Sequence, residues 1–110
     1  MAKFEIIKDA KGEFRFNLKA GNGRVILRSE GYSAKTSCNN GIESVRKNSM
    51  FEERFEVKAS TNGKHYFNLK ATNGQVIGSS ELYETEAALR NGIASVKENA
   101  KDAMVSDLSV

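Results

Sequence analysis

The chain has 110 residues, the usual size of one domain, and we predict a single domain over residues 1–110. Hydrophobic residues make up 39% of the chain and charged residues 28%, as in ordinary soluble proteins. One cysteine, Cys38, excludes an internal disulfide and fits a reducing compartment. The N-terminus carries charges every few residues, so we expect no signal peptide, no membrane partner and a cytoplasmic location.

The net charge of +3 is unevenly distributed along the chain. Residues 1–50 carry ten Lys or Arg against five Asp or Glu, a net +5. Residues 51–110 carry seven against nine, a net −2. A mildly basic total is weak evidence for a polyanionic partner, and the split assigns any basic patch to the first half.

The first elements in chain order are three short strands. Residues 4–6 and 14–18 alternate apolar and polar side chains, the period of a half-buried strand. The Lys11-Gly12 turn joins them, and Asn22-Gly23, a strong hairpin signal, leads into a third strand over residues 24–28. These signals predict a three-stranded antiparallel meander.

A helix follows the meander. Cys38, Ile42 and Val45 are spaced four and three residues apart, which places them on one helical face, and the same spacing of Leu89, Ile93 and Val96 predicts a second helix. Gly41 and Gly92 lie inside these helices at the same position, and each costs about 1 kcal/mol relative to Ala. Because the glycine recurs at one register, we expect the backbone there to approach a neighbouring element closely.

The helix ends also have sequence signals. Ser33 or Thr36 is the predicted N-cap of the first helix and Thr85 that of a second helix. Asn48 and Asn99 stand where a left-handed C-terminal residue is wanted, a conformation that Asn tolerates.

The second half of the chain repeats the first. A shift of 51 positions superimposes Phe4–Ser49 on Phe55–Ala100 without a gap, and 21 of these 46 positions are identical. We predict repeat one over residues 3–49, repeat two over 54–100, and a C-terminal strand and tail over 101–110. Two β-β-β-α repeats then form one antiparallel sheet with both helices on one face, an α+β fold with pseudo-twofold symmetry.

The repeated motifs carry a family resemblance. Phe-Glu, Phe-Asn-Leu-Lys-Ala-x-Asn-Gly-x-Val-Ile, Ser-Glu-x-Tyr and Asn-Gly-Ile-x-Ser-Val occur in order in both copies, and the chain resembles the YegP-like family over residues 3–108. The resemblance implies units that exchange their last strands. Ala103–Leu108 would pair with the first copy, and the segment around Phe51–Lys58 would do the matching job for the second. The resemblance implies that a tandem protein of this kind is a monomer. Because the function of the family is unknown, the resemblance points to no particular activity.

Signatures of catalysis and metal binding are weak. His65 takes the place that Phe14 has in the first copy, and Cys38 aligns with Leu89, so packing roles are favoured for both. One histidine and one cysteine on different elements do not make a metal site, and the absence of phosphate-loop and dinucleotide motifs predicts no cofactor.

The Ser-Glu-x-Tyr motif occurs just before each helix and brings Glu30 with Tyr32 and Glu81 with Tyr83. One interpretation is a polar site used twice, at the pseudo-twofold axis. The alternative, which we favour, is that the tyrosine packs over the helix start and the acid lies in a solvated loop.

Outward-facing strand residues suggest a second kind of site. Arg15, Asn17 and Lys19 alternate outward in one copy, and Tyr66, Asn68 and Lys70 occupy the same positions in the other. Tyr66 could stack on a base while the cations contact phosphates. The alternative is that these residues keep an open sheet face soluble.

Three functional classes follow from these observations. We rank first a non-enzymatic interaction or structural module that holds a protein partner through a sheet face or edge. The second is a nucleic-acid binder, and its candidate residues are Arg15, Lys19, Arg24, Arg28, Tyr66 and Lys70. A small enzyme built at the pseudo-twofold axis from the paired Glu30/Glu81 and Tyr32/Tyr83 comes last, because the sequence contains no established catalytic constellation.

Overall fold

The computed structural model describes residues 1–109, which contain seven strands, two α-helices and one 3₁₀ turn. In chain order they are β1 (Lys3–Lys8), β2 (Phe14–Lys19), β3 (Val25–Arg28), α1 (Lys35–Asn48), the 3₁₀ turn (Glu52–Arg54), β4 (Phe55–Ala59), β5 (His65–Lys70), β6 (Val76–Ser79), α2 (Glu86–Asn99) and β7 (Met104–Asp107). The predicted order of three strands and a helix in each half is confirmed.

All seven strands belong to one sheet, in the order β4-β5-β6-β3-β2-β1-β7. The helices cover one face: α1 packs on β2 and also on β5 and β6, and α2 packs on β5 and on β3. Alternate strand residues such as Phe16, Leu18, Phe67 and Leu69 are fully buried beneath them in one hydrophobic core. The α+β class is confirmed, and each helix crosses to the strands of the other half.

One pairing departs from the predicted antiparallel sheet. β7 lies parallel to β1, with Met104 opposite Lys3 and Asp107 opposite Ile6. Only four residues separate the end of α2 from Met104, so the chain enters the sheet at the end where β1 begins and runs in the same direction.

Both segments pair with the copies that the resemblance implies, but the two pairings differ in direction. β7 follows the second repeat and pairs with the first, as expected. The segment around Phe51–Lys58 does supply β4 to the second half, but β4 pairs antiparallel with β5, as β1 pairs with β2. β4 thus also takes the place that β1 has in the first half, and within residues 1–109 no further strand lies beyond it.

The N-caps of the two helices differ. Thr85 caps α2 as predicted, because its side-chain oxygen accepts a hydrogen bond of 3.1 Å from the N–H of Ala88. The prediction of Ser33 or Thr36 for α1 is wrong: Ala34 occupies the cap and supplies no side-chain acceptor.

The prediction of left-handed residues at the helix ends is also wrong. Within residues 1–109 only glycines have positive φ angles. Asn48 and Asn99 are the last helical residues, and each side-chain amide donates to the carbonyl of the residue four positions earlier, Ser44 (2.9 Å) or Ser95 (2.8 Å). Their amides thus satisfy helix carbonyls without a change of backbone conformation.

The two helix glycines are explained by the tyrosines of Ser-Glu-x-Tyr. A Cβ atom on Gly41 would lie 2.5 Å from the Tyr32 hydroxyl, and one on Gly92 would collide with the hydroxyl of Tyr83. Tyr32 in turn stacks on Phe16, with ring centroids 6.4 Å apart. The expected close approach is confirmed, and the tyrosines belong to the packing of the helices on the sheet.

The junction of the two halves is asymmetric. The backbones of β3 and β6 meet through one residue pair, Arg28 opposite Ser79. Gly78 is the repeat counterpart of Leu27, and a Cβ atom there would lie 2.8 Å from the Leu27 Cγ atom. Leu27 is fully buried, so one leucine fills the space at the axis that two leucines could not share.

We expect Gly78→Leu to lower the free energy of unfolding by about 1–3 kcal/mol, because it overpacks this junction. The exchanged pair Leu27→Gly with Gly78→Leu should recover most of the loss, because it restores one leucine at the axis. Urea unfolding monitored by circular dichroism measures both effects. Equal unfolding midpoints for Gly78→Leu and the unmodified protein would contradict this packing.

Candidate interaction surfaces

The sheet face turned away from the helices carries a continuous row of polar side chains. Residues directly opposite one another on neighbouring strands share a face. The register aligns one residue from each strand, from β7 across to β4: Ser106, Glu5, Asn17, Arg28, Ser79, Asn68 and Glu56. We call this set the polar row; it has a carboxylate near each end and a guanidinium at its centre.

Four of the five cations in the predicted nucleic-acid site have carboxylate partners. The ion pairs are Lys19–Glu5 (2.8 Å), Lys70–Glu56 (3.0 Å), Arg15–Asp9 (2.8 Å) and Arg24–Glu81 (3.0 Å). The hydrogen bond from Lys19 is the main cause that holds the pKa of Glu5 below its usual range, and Lys70 does the same for the pKa of Glu56. The first three of these pairs partly neutralise the sheet face that the sequence presents as basic.

Arg28 is the exception. Among the residues that the structure describes, it has no ion-pair partner, and it is exposed at the centre of the polar row. Tyr66 lies half-buried on the same face, opposite Lys58. Arg24 is elsewhere: it extends from the β2–β3 turn to Glu81 in a groove beside α2. The structure thus places five of the six predicted residues on one sheet face, spread over β2, β3 and β5, and Arg24 on the helix side.

The paired carboxylates and tyrosines do not form one site. Glu30 lines a shallow depression with Arg28 and Gly78, whereas Glu81 lines the groove beside α2. The hydroxyls of Tyr32 and Tyr83 face the helix glycines, and burial raises the pKa of both phenols. A tyrosine with a raised pKa stays protonated at neutral pH, so neither phenol supplies a base.

The remaining reactive groups are also separated. Cys38 is fully buried, and burial raises the pKa of its thiol, which disfavours the nucleophilic thiolate. His65 is half-buried, and its backbone pairs with that of Tyr83. In the described part of the chain no three His, Cys, Asp or Glu residues are grouped as metal ligands. No helix within residues 1–109 has the length and hydrophobicity to cross a membrane.

The two ends of the sheet differ although the strands near them are repeats. On one side β7 covers the outer edge of β1, and Ile6 is 1% exposed. On the other side β4 ends the sheet, and Val57, the counterpart of Ile6, is 39% exposed. A core position of the first half is thus a surface position in the second.

The backbone of β4 directs hydrogen-bonding groups toward this uncovered side. The N–H of Leu108 donates to the carbonyl of Ile6 (2.8 Å), so the polar backbone groups of Ile6 point toward β7. The register of β4 on β5 matches that of β1 on β2, so the N–H and C=O of Val57 point outward in the same way. Within residues 1–109 no strand pairs with that side of β4. We call it the β4 edge.

Polar contacts from α1 hold β7 in place. The Lys35 ammonium lies 2.8 Å from an Asp107 carboxylate oxygen. Arg46 donates to the backbone carbonyl of Lys101 at 3.0 Å, just before the strand. The hydrogen bond from Lys35 is the main cause that lowers the pKa of Asp107 to about 2, and two hydrogen bonds from Ser109 lower it further. The positive charge of Lys35, the first residue of α1, therefore helps to hold β7 against β1.

The β4 edge was missed by sequence reasoning, although a signal for it exists. Each repeat supplies three strands and a helix, and a single further strand follows the second helix. One extra strand can cover only one of two equivalent sheet ends. The number of predicted strands, compared with the two ends of the sheet, therefore indicates that one end has no covering strand.

Fold and surfaces together define a tandem-repeat α+β protein. One family model, described as a domain of unknown function (DUF1508), matches both halves, over residues 9–56 and 60–107. The chain belongs to this family. Each matched segment ends on a strand, β4 in the first case and β7 in the second.

Similar proteins agree with this assignment. The chain is 56% identical over 104 residues to the UPF0339 protein YegP of Escherichia coli K12, covering 94% of each chain, and 54% identical over 108 residues to a UPF0339 protein of Pseudomonas aeruginosa, covering 98% of each. The solution NMR structure of E. coli YegP has a TM-score of 0.94 at 54% identity, covering 98% of this chain and 93% of that one. A UPF0339 protein of Shewanella oneidensis gives 0.93 at 49%, covering 98% and 92%. These descriptions name no activity, ligand or partner.

Removal of the Asp107 carboxylate should change the acid stability of the protein. Its pKa is lowered in the folded state, so its contribution to stability is present above about pH 4 and is lost as the pH falls to about 2. We expect Asp107→Asn to be less stable than the unmodified protein at pH 5 and to lose most of this difference at pH 2, in urea unfolding followed across this range. Asp102→Asn controls for the loss of one nearby negative charge. A stability difference that is the same at pH 5 and pH 2 would contradict the Lys35–Asp107 contact.

Proposed function

We propose that the protein is a monomeric, non-enzymatic interaction module of the cytoplasm that binds an extended segment of another protein along the β4 edge. The observation that carries this proposal is the contrast between the two sheet ends. Ile6 is buried by β7, whereas Val57 at the equivalent position is 39% exposed and has outward-pointing backbone groups.

Unpaired backbone groups at a sheet end can bind an added strand. Main-chain hydrogen bonds then supply affinity, and alternate side chains supply specificity. The first half supports this interpretation, because β7 binds β1 in that way. Further apolar surface lies just before β4, where Met50 and Phe51 are 64% and 42% exposed. An incoming segment would bury this surface together with Val57.

Charged residues on β4 favour a selective partner over self-association. Glu56 and Lys58 alternate with Val57 and form an ion pair with each other at 3.7 Å. Charges on an edge strand oppose pairing with a second, identical edge. They point to the open face and leave the outward backbone groups of Val57 accessible. This pattern supports a monomer that accepts a foreign strand.

Val57→Pro should abolish capture of a bacterial partner, because proline removes the outward N–H and leaves the ladder with β5 intact. The matched control is Val105→Pro, which removes an outward N–H from β7 at the opposite end of the sheet. We expect immobilised unmodified protein and Val105→Pro to retain the same lysate proteins and Val57→Pro to lose them. Thermal unfolding checks that both variants fold. Equal capture by all three proteins would contradict the proposal.

A second candidate function is weak nucleic-acid binding by the open sheet face. The observation that favours it is Arg28, an exposed cation without an ion-pair partner among the described residues, at the centre of the polar row. Asn17 and Ser79 flank it, and Tyr66 supplies one aromatic ring on the same face. The ion pairs of Lys19 and Lys70 leave fewer free cations for phosphates than the sequence suggests.

Titration of single-stranded RNA and DNA at two salt concentrations tests this candidate. Binding by phosphate contacts weakens steeply with salt, and we expect Arg28→Ala to reduce the affinity and to lower the salt slope by about one unit. Arg24→Ala, on the helix side of the sheet, is the matched control and should bind like the unmodified protein. No detectable binding at low salt would eliminate this function.

A further inference from the structure

This inference rests on the proposed function and concerns the chemistry of the partner. We propose that the β4 edge selects an extended segment that runs parallel to β4, with an apolar residue opposite Phe55 and a basic residue opposite Val57. The partner is thus recognised by an apolar residue followed two positions later by Lys or Arg.

The direction and register come from the occupied end of the same sheet. β7 runs parallel to β1, with Val105 opposite Phe4 and Asp107 opposite Ile6. Phe55 and Val57 are the repeat counterparts of Phe4 and Ile6. The N–H of Phe55 already donates to the carbonyl of Glu52, so the outward groups available to a partner begin at the Phe55 carbonyl. Strand addition therefore centres on Val57.

The side-chain rule comes from the first residue of each helix. Opposite Ile6, Asp107 meets Lys35, the first residue of α1. The counterpart of Lys35 at the other end of the sheet is Glu86, the first residue of α2. A residue placed opposite Val57 in the same register therefore faces a carboxylate where Asp107 faces an ammonium. A basic side chain is complementary there, and an acidic one is repelled.

The surroundings of Glu86 leave this carboxylate available. Its one partner within residues 1–109 is Arg90, at 3.7 Å, which also lies 3.9 Å from Glu52. The Glu86 side chain is 66% exposed, so this pair is weak and solvent-screened. Glu84, two residues earlier, adds a second negative charge and contacts Lys64 at 3.5 Å. The start of α2 is thus more acidic than the start of α1.

The same charges exclude the β7 strand of a second copy. That strand would place Asp107 against Glu86, a like-charge contact that costs binding free energy. Its own site offers Lys35 and the Arg46 contacts instead. The difference between Lys35 and Glu86 therefore disfavours β7 of a second copy at the β4 edge and favours a segment of opposite charge there.

Two peptides that differ at one position test this rule. One copies residues 103–108 of the chain, and the other copies the same residues with Asp107→Lys. In NMR titrations of the ¹⁵N-labelled full chain, we expect the lysine peptide to shift the amides of Phe55–Ala59 and to bind about fivefold more tightly than the aspartate peptide. The first repeat already has a lysine, Lys35, at the position equivalent to Glu86, so we expect Glu86→Lys to fold. This variant should bind the aspartate peptide more tightly than the lysine peptide.

Val57→Pro should abolish binding of the lysine peptide, and Val105→Pro should leave it unchanged. The inference is overturned if the lysine peptide does not shift the β4 amides, if both peptides bind equally, or if Glu86→Lys leaves the preference unaltered. Loss of lysate capture by Val57→Pro combined with equal peptide affinities rejects the charge rule alone. Capture that is insensitive to Val57→Pro rejects the β4 edge itself.

Discussion

The joint between β3 and β6 is the contact on which the arrangement of this protein depends. One residue pair connects the backbones of the two halves, and Leu27 fills the space above Gly78. Two leucines would collide where the halves meet, so one half has Leu27 at this position and the other has Gly78. A sheet built around this joint extends outward in both directions and must end at β4 on one side and beyond β1 on the other.

The two ends are treated differently because the chain supplies one strand beyond the two repeats. β7 buries the outer side of β1, and the equivalent side of β4 stays uncovered. The first residues of the two helices differ in the same sense. Lys35 of α1 forms an ion pair with Asp107 of β7, whereas its counterpart in α2 is the acidic Glu86. The duplication therefore conserves the core and creates an asymmetric surface. A strand-binding edge is the functional interpretation that this asymmetry supports.

The sequence predicts the parts of this structure that repeat a local pattern. Alternation and Asn-Gly turns predict the meanders, helical spacing predicts α1 and α2, and the glycines inside the helices indicate a close neighbour. The direction of β7 was not predictable, because it depends on where α2 ends relative to β1. The pairing of Lys19 with Glu5 was missed because it depends on the exact register of β1 on β2, which the alternation of the sequence does not give. The candidate site was missed because an unpaired edge is a property of the whole sheet.

Amide hydrogen exchange of the free protein in solution tests the central claim most directly. Ile6 and Val57 occupy equivalent positions in the two repeats, and only the N–H of Ile6 faces a partner strand. Our account predicts strong protection of the Ile6 amide and rapid exchange of the Val57 amide, independent of protein concentration. Equal protection of the two amides would show that the β4 edge is already covered and would contradict the account.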